Sequence, residues 1–207
     1  MTHPADIIDL LAGITPDSPL AALRQQRRQT WEQAQRSFTA LFEPADAGSF
    51  PLRERYAIAA FEADLHDFAP ATAFYQDLLT DEAPEFTDAV KTAAAEARST
   101  GPYGEYREPG LAGESAPGPV WRPDDHVTAA VGRRVSAALA HTHLLVYRPR
   151  EAGPGDLQAL VDAGWNADDI VRLSQLIAFL AFQLRAAAGL RALARTTSAR
   201  PGEGDPR

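Results

Sequence analysis

Apolar residues in the first third of the chain recur at three- and four-residue spacing, the period of an amphipathic helix. A short helix is expected over 6–11. The run PDSPL then supplies Asp17 or Ser18 as N-cap and Pro19 at the first helical position. From there Leu20, Leu23, Trp31, Phe38 and Leu41 predict one long helix to Phe42, ended by EPADAGS. The next helix starts near Pro51 and carries two apolar stripes. One is Leu52, Tyr56, Ala59 and Ala63; the other is Ile58, Phe61, Leu65 and Phe68. Two stripes predict a helix covered on more than one side. Pro70 and Pro84 suit the first turns of two further helices, over 71–79 and 85–98.

The helical pattern stops at 99–123, STGPYGEYREPGLAGESAPGPVWRP, which holds five glycines and five prolines. Irregular segments of this length are uncommon in compact domains unless they serve as lids, binding arms or linkers. Tyr103, Tyr106, Leu111 and Trp121 predict an arm that packs on a neighbouring surface. Asp124 caps a helix to about Tyr147, stopped by Pro149, and a short helix follows that Gly164 closes. Asn166 caps the last helix, with Asp168 and Asp169 in its favourable first turn, to about Ala194. The expectation is an all-α fold without strands, one helical domain over 1–195 with an irregular arm at 99–123. A disordered tail is expected over 196–207.

Composition narrows what such a helical protein can do. The chain has 207 residues, a formal net charge of −8 and no cysteine. The acidic balance argues against a nucleic-acid or anionic-membrane surface. Without cysteine there is no disulfide, thiolate zinc site, iron–sulfur cluster or thiol nucleophile. Lys91 is the only lysine, a bias that carries no functional weight. The N-terminal MTHPADIIDLLAG lacks the basic start of a signal peptide. The most apolar run, LIAFLAFQL at 176–184, is short for a bilayer span and is followed by Arg185. A cytoplasmic protein is expected, and the near-continuous apolar surface of the last helix predicts a homo-oligomer.

Two places hold residues capable of chemistry. Glu62 and His66 stand four apart on one helix face, where a carboxylate beside an imidazole makes a general-base arrangement, or an ordinary surface pair. His141 and His143 stand two apart, so on a helix they point to nearly opposite sides and cannot form one metal clasp. His143 follows the small residues Ala129, Gly132, Ser136 and Ala140. Such a stripe lets another helix approach closely or leaves room for a ligand, which makes His143 a candidate ligand-binding residue. No nucleotide-binding glycine loop or serine-hydrolase elbow is present.

The segment LQALVDAGWNADDIVRLSQLIAFLAFQLRAAAGL at 157–190 resembles the carboxymuconolactone decarboxylase and alkylhydroperoxidase-D-like family. The features are a short helix ending Ala-Gly, a capped Asp-Asp-Ile start and a very apolar helix ending Arg-x4-Leu. PLRERYAIAAFEA at 51–63 is similar to the active-site helix of that family. The resemblance implies an alkylhydroperoxidase-D-like helical fold in an oligomer. Peroxidase-type members carry a glutamate and then, after eleven residues, Cys-x2-Cys-x3-His. Laying that glutamate on Glu54 without gaps puts His66 and Ala69 at the cysteine positions and Ala73 at the histidine position. Only the glutamate carries over, so the resemblance implies a member without thiol peroxidase chemistry. Its decarboxylase branch works without cofactors. Three functions are therefore open. One is a cofactor-independent acid–base enzyme acting on a small organic substrate through Glu54, Glu62 and His66. Another is a binding or scaffold protein assisting a redox partner, and the third a metal-dependent enzyme using His66. No bound metal or cofactor is expected under the first two.

Overall fold

The computed structural model describes residues 6–198, which are helical with no strand; a lone antiparallel bridge joins Gly104 to Ala116. The all-α expectation holds at that level. The described residues divide into two compact units, 6–43 with 182–198, and 44–181.

In the first unit, α1 (Ile7–Ala12) is capped by Asp6, whose carboxylate accepts from Asp9 N at 2.7 Å, and it ends at Gly13 with φ 71°. Arg24 of α2 (Pro19–Gln25) pairs with Asp6 at 2.7 Å and also with Asp9. Gln35 of α3 (Arg28–Phe42) accepts from Ile7 N at 3.0 Å. These links hold the three helices around Ile7, Ile8 and Leu11, all buried. The single long helix expected over 19–42 is thus two helices, broken at Arg27 (φ −114°, ψ 46°). Between Leu23 and Trp31 the sequence RQQRRQT offers no apolar side chain to bury, so nothing holds the helix straight across that span. Leu23 itself is exposed.

The second unit is built on α4 (Leu52–Leu65), which contacts α5 (Ala69–Glu82), α6 (Pro84–Ala97) and α7 (Asp125–Tyr147). Every residue from Ala57 to Ala63 is buried, as two apolar stripes require. The helix ends at Leu65, earlier than the stripe through Phe68 suggests, because Asp67 turns into the left-handed region at φ 51°. Asp is one of the few side chains that tolerates that conformation. Pro70 and Pro84 sit in the first turns of α5 and α6.

Asp124 caps α7 through a 2.8 Å bond from Val127 N. Its long run is interrupted at Gly132, φ 82° and ψ 159°, a geometry that is essentially glycine's alone. Thr128 and Ser136, on either side of the kink, share a 2.8 Å hydroxyl bond. The short α8 (Pro154–Asp162) ends before Gly164 (φ 98°), and Asn166 Oδ1 accepts from Asp169 N to start α9. α9 spans Ala167–Ser198, so the first three residues of the expected tail are helical, and 199–207 lie outside the described residues. By length and composition alone α9 could cross a membrane, with a hydropathy of 1.5. Leu173, Leu176 and Leu180 are nevertheless fully buried, as in a core helix, while Val171 and Phe182 are exposed.

The arm at 99–123 packs down as expected. Tyr103 N donates to Tyr147 O at 2.5 Å, Tyr147 Oη donates to Leu65 O at 2.7 Å, and Arg150 lies 3.8 Å over the Tyr106 ring. Gly118 runs so close to Tyr103 that a β-carbon there would fall 2.2 Å from the ring. At its far end Trp121 meets Phe61 of α4, ring centroids 5.2 Å apart.

One cation joins three elements of this unit. Arg134 of α7 contacts both oxygens of Glu54 on α4 (3.1 and 3.0 Å) and Asp169 Oδ2 on α9 (3.1 Å). It also donates to the carbonyls of Gly164 (2.8 Å) and Ser49 (3.0 Å), and its guanidinium stacks 3.9 Å above Trp165. Trp165 returns a bond to Arg134 O at 2.9 Å. Removing one partner of a buried ion pair leaves an uncompensated charge, at 3–5 kcal/mol in the fully buried case. Arg134 keeps 22 % side-chain exposure, so Arg134→Met is expected to cost about 2 kcal/mol. Urea unfolding should show a lower midpoint at unchanged slope; a shift equivalent to less than about 0.5 kcal/mol contradicts this role.

Candidate functional site

The α4 residues singled out in the sequence do not converge. Glu54 and Glu62 are eight positions apart on one helix, roughly 12 Å along its axis. Glu54 is committed to Arg134; burial pushes its carboxyl above the ordinary range, and the Arg134 guanidinium only partly offsets this. Glu62 is fully buried, and His66 Nε2 lies 3.7 Å from its Oε1. That is an ion-pair separation, longer than a hydrogen bond. His66 is the C-cap of α4, with its side chain 11 % exposed. Among the described residues no three His, Cys, Asp or Glu come together in a way that could hold a metal ion.

A cavity of about 390 Å³ lies elsewhere in the same unit, between the end of the arm, α7 and α8. Its α7 wall is a single helix face. Arg133, Ala137, Ala140 and Leu144 follow at i, i+4, i+7 and i+11, with Ser136 beside them. His141 and His143 flank that face. At about 100° per residue they are about 160° apart, which places the two rings on opposite edges of the space rather than on unrelated sides of the helix. The sequence expectation that they point away from each other is right for the helix, yet both rings line the cavity. The small side chains Ala137 and Ala140 create the room. The stripe Ser136–Ala140–His143 therefore borders a space, where close helix packing was the other reading; Ala129 and Gly132, its first members, are exposed.

The opposite walls come from Val120, Trp121 and Arg122 on the arm, and from Asp156, Ala159 and Ala163 around α8. Arg122, Arg133 and Ala159 are exposed at the mouth, whereas Ser136, His141, His143 and Leu144 are buried at the inner wall. Arg148, also at the edge, is held by Glu151 at 2.6 Å. Asp156 spends its carboxylate on Gly153 N at 2.9 Å, capping α8.

The two imidazoles are the chemically notable groups. His143 is 1 % exposed and sits between Trp121 and Tyr147, ring centroids 5.8 and 5.1 Å away. Its Nε2 is buried with no hydrogen-bond partner, as is Nδ1 of His141, which is 6 % exposed. Buried polar atoms of this kind call for an explanation. Burial lowers the pKa of His143, and the Arg148 charge adds to this against an opposing hydrogen bond to the Ala97 backbone. Burial likewise lowers that of His141, partly offset by Asp156. Both rings are thus neutral at pH 7. A hydrogen bond to the Ala97 backbone opposes that lowering at His143, and Nε2 of the ring has no partner.

Of the four residues picked from the sequence, His143 alone lines this cavity; Glu54, Glu62 and His66 do not. Trp121, Arg122 and Arg133 were not picked. The signal for Arg133 was available in the 133–137–140–144 periodicity, but the arm residues carry no periodic signal at all. No protein-family model, no curated protein and no solved structure matches the chain.

The two histidines also make stability depend on pH. Both folded-state values lie below the ordinary value of about 6.5. The unfolded chain then binds more protons as pH falls through that value, so their contribution is complete above it and is lost below it. The melting temperature should drop between pH 7.5 and 5.5, and the double variant His141→Gln/His143→Gln should flatten part of that slope. An unchanged slope in the double variant would contradict neutral burial.

Proposed function

We propose that this is a small-molecule-binding protein on an alkylhydroperoxidase-D-like, carboxymuconolactone-decarboxylase-like scaffold, without thiol peroxidase chemistry and assembled as a homo-oligomer. The family part rests on the residues at 51–63 and 157–190; the missing chemistry rests on the missing cysteines. One observation carries the binding reading: a cavity of about 390 Å³ that has two buried histidines, His141 and His143, among its lining residues. Ligand pockets run from about 300 to 1,000 Å³, largely apolar with a few placed polar groups, and this one lies at the small end of that range.

A cofactor-independent acid–base enzyme is the second reading, favoured by the neutral state of His143. Its proton acceptor is then His143 in the cavity rather than the α4 trio. Binding ranks first because the group on the far side of the His143 ring is the Ala97 backbone, not a carboxylate that would stabilise the imidazolium formed on proton abstraction.

Trp121 supplies the readout, since its ring lines the cavity beside His143. Screening a library of small organic compounds by tryptophan fluorescence should find ligands that Trp121→Phe no longer reports. Ala140→Trp, which fills the floor, should weaken those ligands at least about tenfold while circular dichroism stays helical. Ligands that bind Ala140→Trp as tightly as the parent would overturn the assignment of this cavity.

A further inference from the structure

We infer that residues 119–123 form a strap that swings off the α7–α8–arm cavity and that Trp121 latches it shut in this structure. This rests on the cavity being the ligand site, and it names the part of the wall that moves to admit a ligand. The sequence already sets the segment apart. APGPVWRP at 116–123 carries prolines at 117, 119 and 123, which have no N–H to give to a ladder. The other N–H groups, of Gly118, Val120, Trp121 and Arg122, donate to no protein acceptor among the described residues. Water is then their partner. Among the same residues the strap's carbonyls receive one bond, from Arg148 Nη1 to Pro119 O. At 3.5 Å it is longer than an ordinary hydrogen bond.

The earlier part of the arm is tied down in a way that the strap is not. Gly104 N donates to Ala116 O at 2.8 Å, Tyr106 N to Ser115 Oγ at 3.0 Å, and Arg150 to Gly104 O at 3.2 Å. Both ends of the strap are fixed points. Gly118 lies hard against the Tyr103 ring, and Asp124 caps α7 through Val127 N. Between them Pro119, Val120 and Arg122 are exposed. Trp121 holds the strap down, packing on Phe61 and His143, both fully buried, with ring centroids 5.2 and 5.8 Å away. A segment with few buried contacts and no backbone bonds to lose opens well below the free energy of global unfolding. Because proline fixes its own φ, the strap moves as one piece about its ends instead of unravelling. The strap crosses α7 near Leu144, which follows His143 and precedes by one turn the Arg148 that reaches Pro119. Leu144, Val120 and Trp121 line the same cavity, so withdrawing Trp121 uncovers Leu144.

The test uses the full chain without ligand. The protein has no cysteine, so Leu144→Cys places its sole thiol on the cavity wall beneath the strap. Leu139→Cys places it at a fully buried α7 position outside the cavity lining, as a monitor of global unfolding. Labelling with dithionitrobenzoate should run at least about tenfold faster in Leu144→Cys than in Leu139→Cys, since local opening is easier than unfolding. Adding Trp121→Ala removes the latch and should speed Leu144→Cys by at least about tenfold more. Equal rates in the two thiol variants overturn the strap. So does a Leu144→Cys rate that Trp121→Ala leaves unchanged, because the thiol is then reached without any opening. Should Leu144→Cys not fold, the parent chain carrying 5-fluorotryptophan reads the same motion. Fluorine relaxation dispersion is expected at Trp121, assigned by Trp121→Phe, and not at Trp165, which is stacked under Arg134. A flat Trp121 profile there also overturns the strap. The ligand reading is judged apart from this, by Ala140→Trp. If that variant loses ligands while the thiols report no local opening, the strap falls and the ligand site stands. If the strap opens and Ala140→Trp binds every ligand as tightly as the parent, the ligand site falls and the motion stands.

Discussion

The second unit depends on the placing of one guanidinium. Arg134 holds a carboxylate from α4 and one from α9, two loop carbonyls, and the face of Trp165. Buried ion pairs are weak evidence of net stability, because desolvation consumes most of the attraction. Their effect is on geometry: an arginine that must satisfy several acceptors at once permits few arrangements of the helices that carry them. Burial pushes Asp169 up, but Ser49, Arg134 and Arg172 outweigh it and hold the carboxyl below its ordinary range, whereas Glu54 is pushed above its own. Asp169 is thus the firmer anion of the two. The register of α7 against α4 and the start of α9 follows from these bonds.

With α7 fixed, the cavity follows from two features of the same helix. The Gly132 kink lies just before the face that lines the space, and the Thr128–Ser136 bond ties the two sides of the kink together. Beyond it, alanines replace the large side chains that would otherwise close the gap to α8. The arm supplies the remaining wall because both of its ends are anchored, through Tyr147 at one end and the Trp121–Phe61 contact at the other. The chain thus positions polar groups around a space between α7, α8 and the arm.

Much of this was legible in the sequence where the signal is local. Asp124 and Asn166 as caps, Pro70 and Pro84 in first turns, and Gly164 as a stop each act within one turn of themselves, and the structure places each so. The break at Arg27 was missed because good helix formers surround it and only the absence of apolar residues speaks against continuation. Gly132 read as one more small residue, although its backbone leaves the helix. The Arg134 network was out of reach, since its partners lie 80 and 35 positions away and no spacing rule links them. Attention to α4 as the reactive helix came from pairing Glu62 with His66 and from the family resemblance. The cavity lies instead between α7, α8 and an arm whose contribution, Trp121 and Arg122, becomes visible only when the chain is folded.

The function proposed for this protein places its ligand in the α7–α8–arm cavity and not on the α4 face bearing Glu62 and His66. A crystallographic fragment screen tests that most directly, because fragments report where a protein accepts small molecules without prior choice of ligand. Fragment density is expected against Trp121 and His143, recurring across unrelated compounds. Fragments that cluster beside His66 and leave the Trp121–His143 space empty would contradict it.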